Sequence, residues 1–244
     1  MTYCLSDIHA EYGLFMRLLD QIKFSSTDRL IVCGDIVDKG QDSVRLLKTL
    51  AGMPNVRCII GNHEYGFLKY YWGLMRESPD DFDLILSKLR GYFQGDGNLL
   101  EWQIVDWLES LPYYIEEEDY ICVHAGVPLD GNGRVLPLER ATREQLVYDR
   151  TFKDPNLKVA DSKCVLFGHT PTSYLSGSDM IIGYRREGAK KSYVKVSADG
   201  RYERSYPITE HYKIHLDTGT WLNGVLGCIC IENCHCYYAK KKSK

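Results

Sequence analysis

Five short apolar runs in this chain each stop abruptly on a side chain with a lone pair to offer. They are Tyr3-Cys4-Leu5-Ser6 before Asp7-Ile8-His9, Ile31-Val32-Cys33-Gly34 before Asp35, Cys58-Ile59-Ile60-Gly61 before Asn62-His63, Tyr120-Ile121-Cys122-Val123 before His124, and Cys164-Val165-Leu166-Phe167-Gly168 before His169. An apolar strand that ends on Asp, Asn or His delivers that group to the carboxyl edge of a sheet, where open α/β folds hold their ligands. Any one of these histidines alone reads as a packed or surface residue. Four of the seven histidines directly following apolar strands, beside Asp, Asn or Gly, is a pattern that chance does not readily produce. Their convergence predicts a metal site, and the number of donors predicts two ions.

The segments between the runs specify the connections. Residues 2–6 read as a strand, and residues 11–23 as a helix with Leu14, Phe15, Leu18, Leu19 and Ile22 on one face. A second strand follows Asp28-Arg29, a second helix runs from Ser43 to Leu50, and a third strand from Val56 to Ile60. This βαβαβ order predicts a parallel sheet with right-handed crossovers. From Glu64 to about Ser110 the pattern is helical, with breaks at Ser78-Pro79 and Gly95-Asp96-Gly97. The rings of Tyr65, Phe67, Tyr70, Tyr71 and Trp72 are expected to pack this block onto the sheet. Strands are expected at Tyr113–Ile115 and Asp119–Val123, with the acidic turn of Glu116 to Asp119 solvated between them. After a short helix from Thr142 to Tyr148 and the strand ending at Phe167, the chain turns to strand-like segments. These are Met180–Tyr184, Ser192–Val196, Tyr212–Leu216, Val225–Ile231 and Cys234–Tyr238, which predict a second sheet packed on the first.

Bulk properties bound the function. At 244 residues the chain suits one large domain, here 1–244, with a helical block at about 64–110 and a basic hairpin insertion at about 178–206. A net charge of -3 makes no case for nucleic acid, and no apolar run approaches membrane-spanning length. Met1 enters a strand at once, leaving no room for a signal peptide, and Cys4, Cys33, Cys58, Cys122 and Cys164 sit inside apolar strands as small hydrophobes. Both features lead us to expect a cytoplasmic protein. Cys228, Cys230, Cys234 and Cys236 invite a zinc site, but a two-residue turn at Glu232-Asn233 puts the two pairs on opposite faces. A hairpin with filler thiols is the preferred reading. The cations Arg185, Arg186, Lys190, Lys191, Lys195, Arg201 and Arg204 read as a solvated hairpin, or else as an edge that receives acidic substrates. His211, His215 and His235 lack ligand spacing with the main set and are read as structural.

The donor set points to chemistry. Asp7 and His9, two apart, would face one ion in an extended backbone. Asp35 on the neighbouring strand could share its two oxygens between two ions. Asn62 and His63, being adjacent, would point opposite ways, one to the metal and one to the substrate. A mixed nitrogen and oxygen set without thiolate suits Mn²⁺, Fe or Zn²⁺ better than Ca²⁺. Two divalent ions exceed the charge of Asp7, Asp35 and a bridging hydroxide, so the surplus attracts phosphate. The ions would lower the pKa of the bridging water, and His63, oriented by Asp38, could protonate a leaving oxygen. Lys39 and Arg150 are the cations available for the other phosphate oxygens.

In order and content the five motifs resemble the phosphoprotein phosphatase superfamily of calcineurin-like metallophosphoesterases. The pattern GDxHG, GDxVDRG, GNHE, H-G/A-G and GHT stands here as Ser6 to Ala10, Gly34 to Gly40, Gly61 to Glu64, His124 to Gly126, and Gly168 to Thr170. The match runs to about Thr172 and resumes at Asp217-Thr218-Gly219, and Leu146 to Arg150 looks most like bacterial and phage serine/threonine phosphatases. The resemblance implies a four-layer α/β/β/α sandwich of two mixed sheets. It implies one metal on Asp7, His9 and Asp35 and a second on Asp35, Asn62, His124 and His169. It also implies His63 as general acid oriented by Asp38, Arg150 on phosphate, and hydrolysis by a hydroxide bridging two metal ions, Mn²⁺ first among the candidates. Three residues depart from the pattern. Ser6 replaces glycine, Ala10 adds a methyl where the backbone can need positive φ, and Lys39 replaces an arginine whose bidentate grip a lysine cannot copy.

Two substrate classes follow. The first is phosphoserine or phosphothreonine in proteins, which we rank first on the strength of Asp38, His63 and Arg150. The second is dinucleoside polyphosphates or related phosphoanhydrides, for which Lys39 leaves room. An inactive phosphate-binding scaffold is the third reading, disfavoured by the complete ligand set. No nucleic-acid or membrane partner is expected.

Overall fold

The first three apolar runs become neighbouring parallel strands, and everything else is placed by them. In the computed structural model, which describes residues 1–188, 192–195 and 202–241 (backbone alone at 192–195 and 202–205), these are β1 (Thr2–Leu5), β2 (Arg29–Val32) and β3 (Val56–Cys58). They are joined by the crossover helices α1 (Tyr12–Gln21) and α2 (Ser43–Ala51). The helical block is α3 (Asn62–Glu77), α4 (Phe82–Arg90) and α5 (Trp102–Ser110), broken where Pro79 and the Gly95 to Gly97 stretch predict. Then come β4 (Tyr114–Glu116), β5 (Tyr120–Val123), α6 (Arg143–Tyr148), β6 (Cys164–Phe167), α7 (Ser173–Ser176) and β7 (Ile182–Arg185). The chain ends through β8 (Ser192–Lys195), β9 (Tyr202–Ser205), β10 (His211–His215), α8 (Thr220–Asn223), β11 (Val225–Cys230) and β12 (Cys236–Lys240).

Two five-stranded mixed sheets result, in the orders β12-β11-β1-β2-β3 and β4-β5-β6-β10-β7. The late strands therefore do not make a sheet of their own. β10 and β7 join β5 and β6, while β11 returns to pair antiparallel with β1, Tyr3 opposite Cys230. Strand alternation divides each sheet's residues between two cores. Cys4, Ile31 and Cys33 of the first sheet meet Cys122, Leu166 and Ile214 of the second between the sheets. Tyr3, Leu5, Leu30 and Val32 face outward, with Leu14, Phe15 and Leu18 of α1 and Leu46 and Leu47 of α2 in the same core. Burying each such apolar side chain contributes about 1.5–3 kcal/mol, and packing is what holds α1, which has no side-chain N-cap, whereas α2 also has its Val44 and Arg45 N–H groups donating to the Asp96 carboxylate.

Tyr65, Phe67 and Tyr71 are buried in the core as packing residues, while Tyr70 turns outward. Cys230 N–H donates to the His235 carbonyl and Ile229 pairs with Cys236, which fixes the two-residue turn. Cys228 and Cys230 accordingly join the outer core, and Cys234 and Cys236 pack against the inter-sheet one. No zinc-type grouping of these four occurs among the described residues. The segment at 178–206 is divided: β7 is an edge strand of the second sheet, and only β8 and β9 pair as a separate ribbon. Lys190, Lys191 and Arg201 lie outside the described residues. Arg186 spends its guanidinium on the carbonyls of Ser162, Lys163 and Thr209, and Arg185 stacks on Tyr206. Among the described residues no helix is long and apolar enough to cross a membrane.

Candidate active site

The site stands where the carboxyl ends of β1, β2 and β3 meet those of β5 and β6. The loops that leave these strands are unusual in backbone. Asp7, His9, Ala10, Asp35, Asp38, Lys39 and His169 all have φ between 51° and 71°. Non-glycine residues visit this left-handed region seldom, and a cluster of them is backbone strain held in place by its surroundings. Asp7 and His9 thus reach the same place by left-handed turns, not by the extended alternation expected from sequence. Ala10, the departure from glycine, adopts φ 57°. Asn62 and His63 differ from expectation as well. They open α3 after an extended Gly61, so it is the helical first turn that splays their side chains.

The donors converge. His124 Nε2 lies 3.3 Å from Asp35 Oδ1, and His9 Nε2 and His63 Nε2 lie 3.7 and 3.8 Å from Asp35 Oδ2. His9 Nε2 is also 3.9 Å from Asp7 Oδ1. Asn62 Oδ1 sits 2.9 Å from His124 Nε2 and 2.7 Å from His169 Nδ1. Asp35 therefore stands between two groups that could each hold a metal, one with His9 and His63 and one with His124 and His169. The opposite ring nitrogens are fixed by backbone: His124 Nδ1 faces the Cys33 carbonyl at 2.8 Å and His9 Nδ1 the Val37 carbonyl at 3.2 Å. Orienting partners of this kind are what metal-binding imidazoles require. His63 differs, because its Nδ1 lies 2.8 Å from Asp38 Oδ2 and leaves Nε2 toward the cavity.

Glycine makes the convergence sterically feasible at two points. A Cβ on Gly168 would stand 2.1 Å from Asp7 Oδ2, and one on Gly61 would stand 2.3 Å from Asp35 Oδ1. Ser6, where the family pattern has glycine, has its single hydroxyl proton within reach of two acceptors, Asp7 Oδ2 and the Cys33 carbonyl.

Electrostatics test whether cations fit. Burial, with the charges of Asp217 and Asp35 added, holds the Asp7 carboxyl well above its usual range. Burial pushes Asp35 up to about 8 and Asp217 to about 7. Burial likewise drives His9 down to about 3, His169 to about 4 and His124 well below the normal imidazole value. The imidazoles are thus in the neutral form that binds metal, and the acids lack a counter-charge. Asp7 Oδ1, although buried, has no hydrogen-bond partner. An unpartnered buried carboxylate oxygen beside neutral imidazoles is costly for protein alone and suited to divalent cations. The donor set fits two such ions.

Two organising residues stood in matched motifs but were given no role by the sequence reading. Glu64, fully buried, accepts hydrogen bonds from the backbone N–H groups of Asp35, Ile36, Val37 and Gly61. It ties the Asp35 loop to the start of α3. Its place as the last residue of the Gly61 to Glu64 motif was the available signal. Asp217, after β10, lies close enough to Asp7 to shift its ionisation and lines the cavity, and its Oδ1 accepts from Gly219 N–H. The cavity, about 240 Å³, has His9, Asp35, Asn62, His63, His169 and Asp217 in its wall together with Lys39 and Arg150. Every residue singled out from sequence for this site is therefore in or beside it. His211, His215 and His235 stay outside, with His215 stacked on Phe167.

Comparison with known proteins agrees with this geometry. A family model for calcineurin-like phosphoesterases matches residues 2–196, and the chain belongs to that family. The resemblance read from the five motifs is upheld. Among individual relatives, the symmetrical bis(5'-nucleosyl)-tetraphosphatase of Nitrosomonas europaea is 33% identical over 128 residues, which is 52% of this chain and 44% of that protein. Its namesake in Salmonella paratyphi C is 32% identical over 130 residues, 52% of this chain and 43% of its own. The matched stretch is thus less than half the length of these curated relatives. Among solved structures, a candidate diadenosine tetraphosphatase superposes with a TM-score of 0.65 at 16% identity, covering 100% of this chain and 94% of that one. A protein serine/threonine phosphatase from Saccharomyces cerevisiae gives 0.51 at 13% identity, covering 100% and 80%. At such identities the superpositions speak for the fold, two mixed sheets flanked by helices.

Proposed function

We propose that this chain is a metal-dependent phosphoanhydride hydrolase whose substrates are dinucleoside polyphosphates. The observation that carries the hydrolase reading is the pairing of Asp35, shared between two donor groups, with the His63–Asp38 couple beside it. Asp7, His9 and Asp35 would hold one cation, and Asp35, Asn62, His124 and His169 the other. Divalent cations in these positions supply charge to the phosphoryl oxygens and acidify water, and Mn²⁺, Fe or Zn²⁺ suits the donors.

The chain's own residues do the rest. His63 holds a proton on Nε2 for the leaving oxygen, while Asp38 accepts from Nδ1 and fixes the tautomer. Burial works against the charged imidazole, but the Asp38 hydrogen bond and the charges of Asp35 and Glu64 outweigh it and hold the His63 pKa above its normal value. A raised pKa is the direction that a general acid requires. Arg150 and Lys39, both exposed at the cavity, bind the phosphate oxygens that the cations leave free.

Sequence alone ranked phosphoproteins ahead of nucleotides because His63, Asp38 and Arg150 are present. That chemistry serves both classes equally and does not separate them. The two curated relatives are named for tetraphosphates bridged between nucleosides, and Lys39 offers a point charge where a bidentate clamp on a single phosphate monoester would want arginine. Both favour the nucleotide. A panel of diadenosine tetraphosphate, a phosphothreonine peptide and p-nitrophenyl phosphate with added Mn²⁺ tests this. We expect the dinucleotide to give the highest kcat/KM. A phosphopeptide turned over faster than the dinucleotide would overturn the assignment.

A further inference from the structure

The cavity carries apolar surface that phosphate chemistry does not use. Tyr174 on α7 is 68% exposed, Trp221 on α8 is 49% exposed, and Leu222 beside it is also open to solvent. All three line the same cavity as His63 and Arg150. Scattered exposed hydrophobics are ordinary, but three at the mouth of one polar site call for a ligand with an apolar face. The supports of this rim are built in. Gly219, at φ 76°, caps α8, and the Asn223 amide on that helix donates to Ser173 Oγ on α7 and to Asp179 Oδ1. The helix that carries Trp221 is thereby tied to the helix that carries Tyr174. Lys39 Nζ stands over one face of the Trp221 ring, 4.8 Å from its centre, a cation–π contact that brings indole and ammonium together at the cavity.

A flat π surface next to a phosphate-binding cation matches the two halves of a nucleotide. We propose that Trp221, flanked by Tyr174, is the stacking platform for one nucleobase of the substrate, with Lys39 beside it on the adjoining phosphates. This rests on the dinucleoside polyphosphate reading and adds to it the residues that select a nucleoside over a bare phosphate. Lys39 acquires a role that an arginine held on a single phosphate would not fill. Stacking tolerates any base, so the platform selects for nucleotides as a class and not for adenine alone.

The test compares Trp221→Ala and Trp221→Phe with the wild type. Removing one base–aromatic stack should raise the KM for diadenosine tetraphosphate about tenfold relative to the KM for p-nitrophenyl phosphate, and the phenylalanine should recover most of that ratio. Saturable quenching of indole fluorescence by AMP should be strong in the wild type and weak in Trp221→Ala. An equal change on both substrates, or AMP quenching that survives the alanine, would overturn the platform even if the dinucleotide is turned over. If the wild type fails on the dinucleotide yet binds AMP through Trp221, the reaction assignment falls and the platform stands.

Discussion

Two clusters of metal-capable side chains lie one above the other in this molecule, on the same strands. Cys4, Cys33 and Cys122 bring their thiols together between the sheets, with Cys4 Sγ 3.4 Å from Cys33 Sγ and 3.9 Å from Cys122 Sγ. A few residues further along the same three strands, Asp7, Asp35 and His124 form the oxygen and nitrogen cage. The thiols sit at the ends of the strands or inside them, are fully buried and satisfy one another, and burial pushes Cys4 and Cys33 up toward the neutral thiol. They fill space. The carboxylates sit on left-handed backbone at the strand ends, one oxygen of Asp7 has no partner, and the cage meets an open cavity. Proximity of donor atoms is common to both clusters. Strain, unmet hydrogen bonds and access belong only to the second, and these are what distinguish a site from a core.

Substitutions can press on that contrast. Asp35→Asn should be the most damaging, because Asp35 is the one group shared by both donor sets. We expect turnover to fall by more than the 10–100-fold typical of an outer-shell partner, together with loss of bound Mn²⁺ measured by elemental analysis. Retention of both ions in that variant would dissolve the distinction between the clusters. His63→Asn should lower kcat by about 10²–10⁴ while leaving the metal content intact. The loss should be larger on an alkyl phosphomonoester than on diadenosine tetraphosphate, since an alkoxide needs the proton more than a phosphate leaving group does. Loss of metal would mean that His63 is a ligand. Cys122→Ala should do least, costing about 1 kcal/mol in urea unfolding and leaving metal content and kcat unchanged.

Much of the fold and site is legible in the sequence, for a physical reason. A parallel strand has to be apolar on both faces, and its end has to be polar, so each candidate donor announces itself at a change in hydrophobicity. The helices α1 and α2 and the break at Pro79 follow from the same patterning. What patterning does not encode is backbone beyond the strand ends. The φ of Asp7 and His9, and the helical start at Asn62, are set by contacts across the sheet. The role of Glu64 was not legible because three of the four amides it receives come from residues distant in sequence, and that of Asp217 because the partner it perturbs lies 210 positions earlier. The destinations of β11 and β12 depended on tertiary pairing with β1, which no local signal specifies.

Lys213 on β10, with no exposed surface, donates from its ammonium to the carbonyls of Phe152 at 2.9 Å and Asp154 at 2.6 Å, and Tyr184 stands 4.7 Å away. Those carbonyls belong to the irregular stretch that carries Arg150. That stretch could not drift from the second sheet without stranding a charge among aromatic rings. The position of the Arg150 guanidinium is therefore tied to the register of β10 against β6, a rigid ladder, through the one buried cation that anchors its stretch.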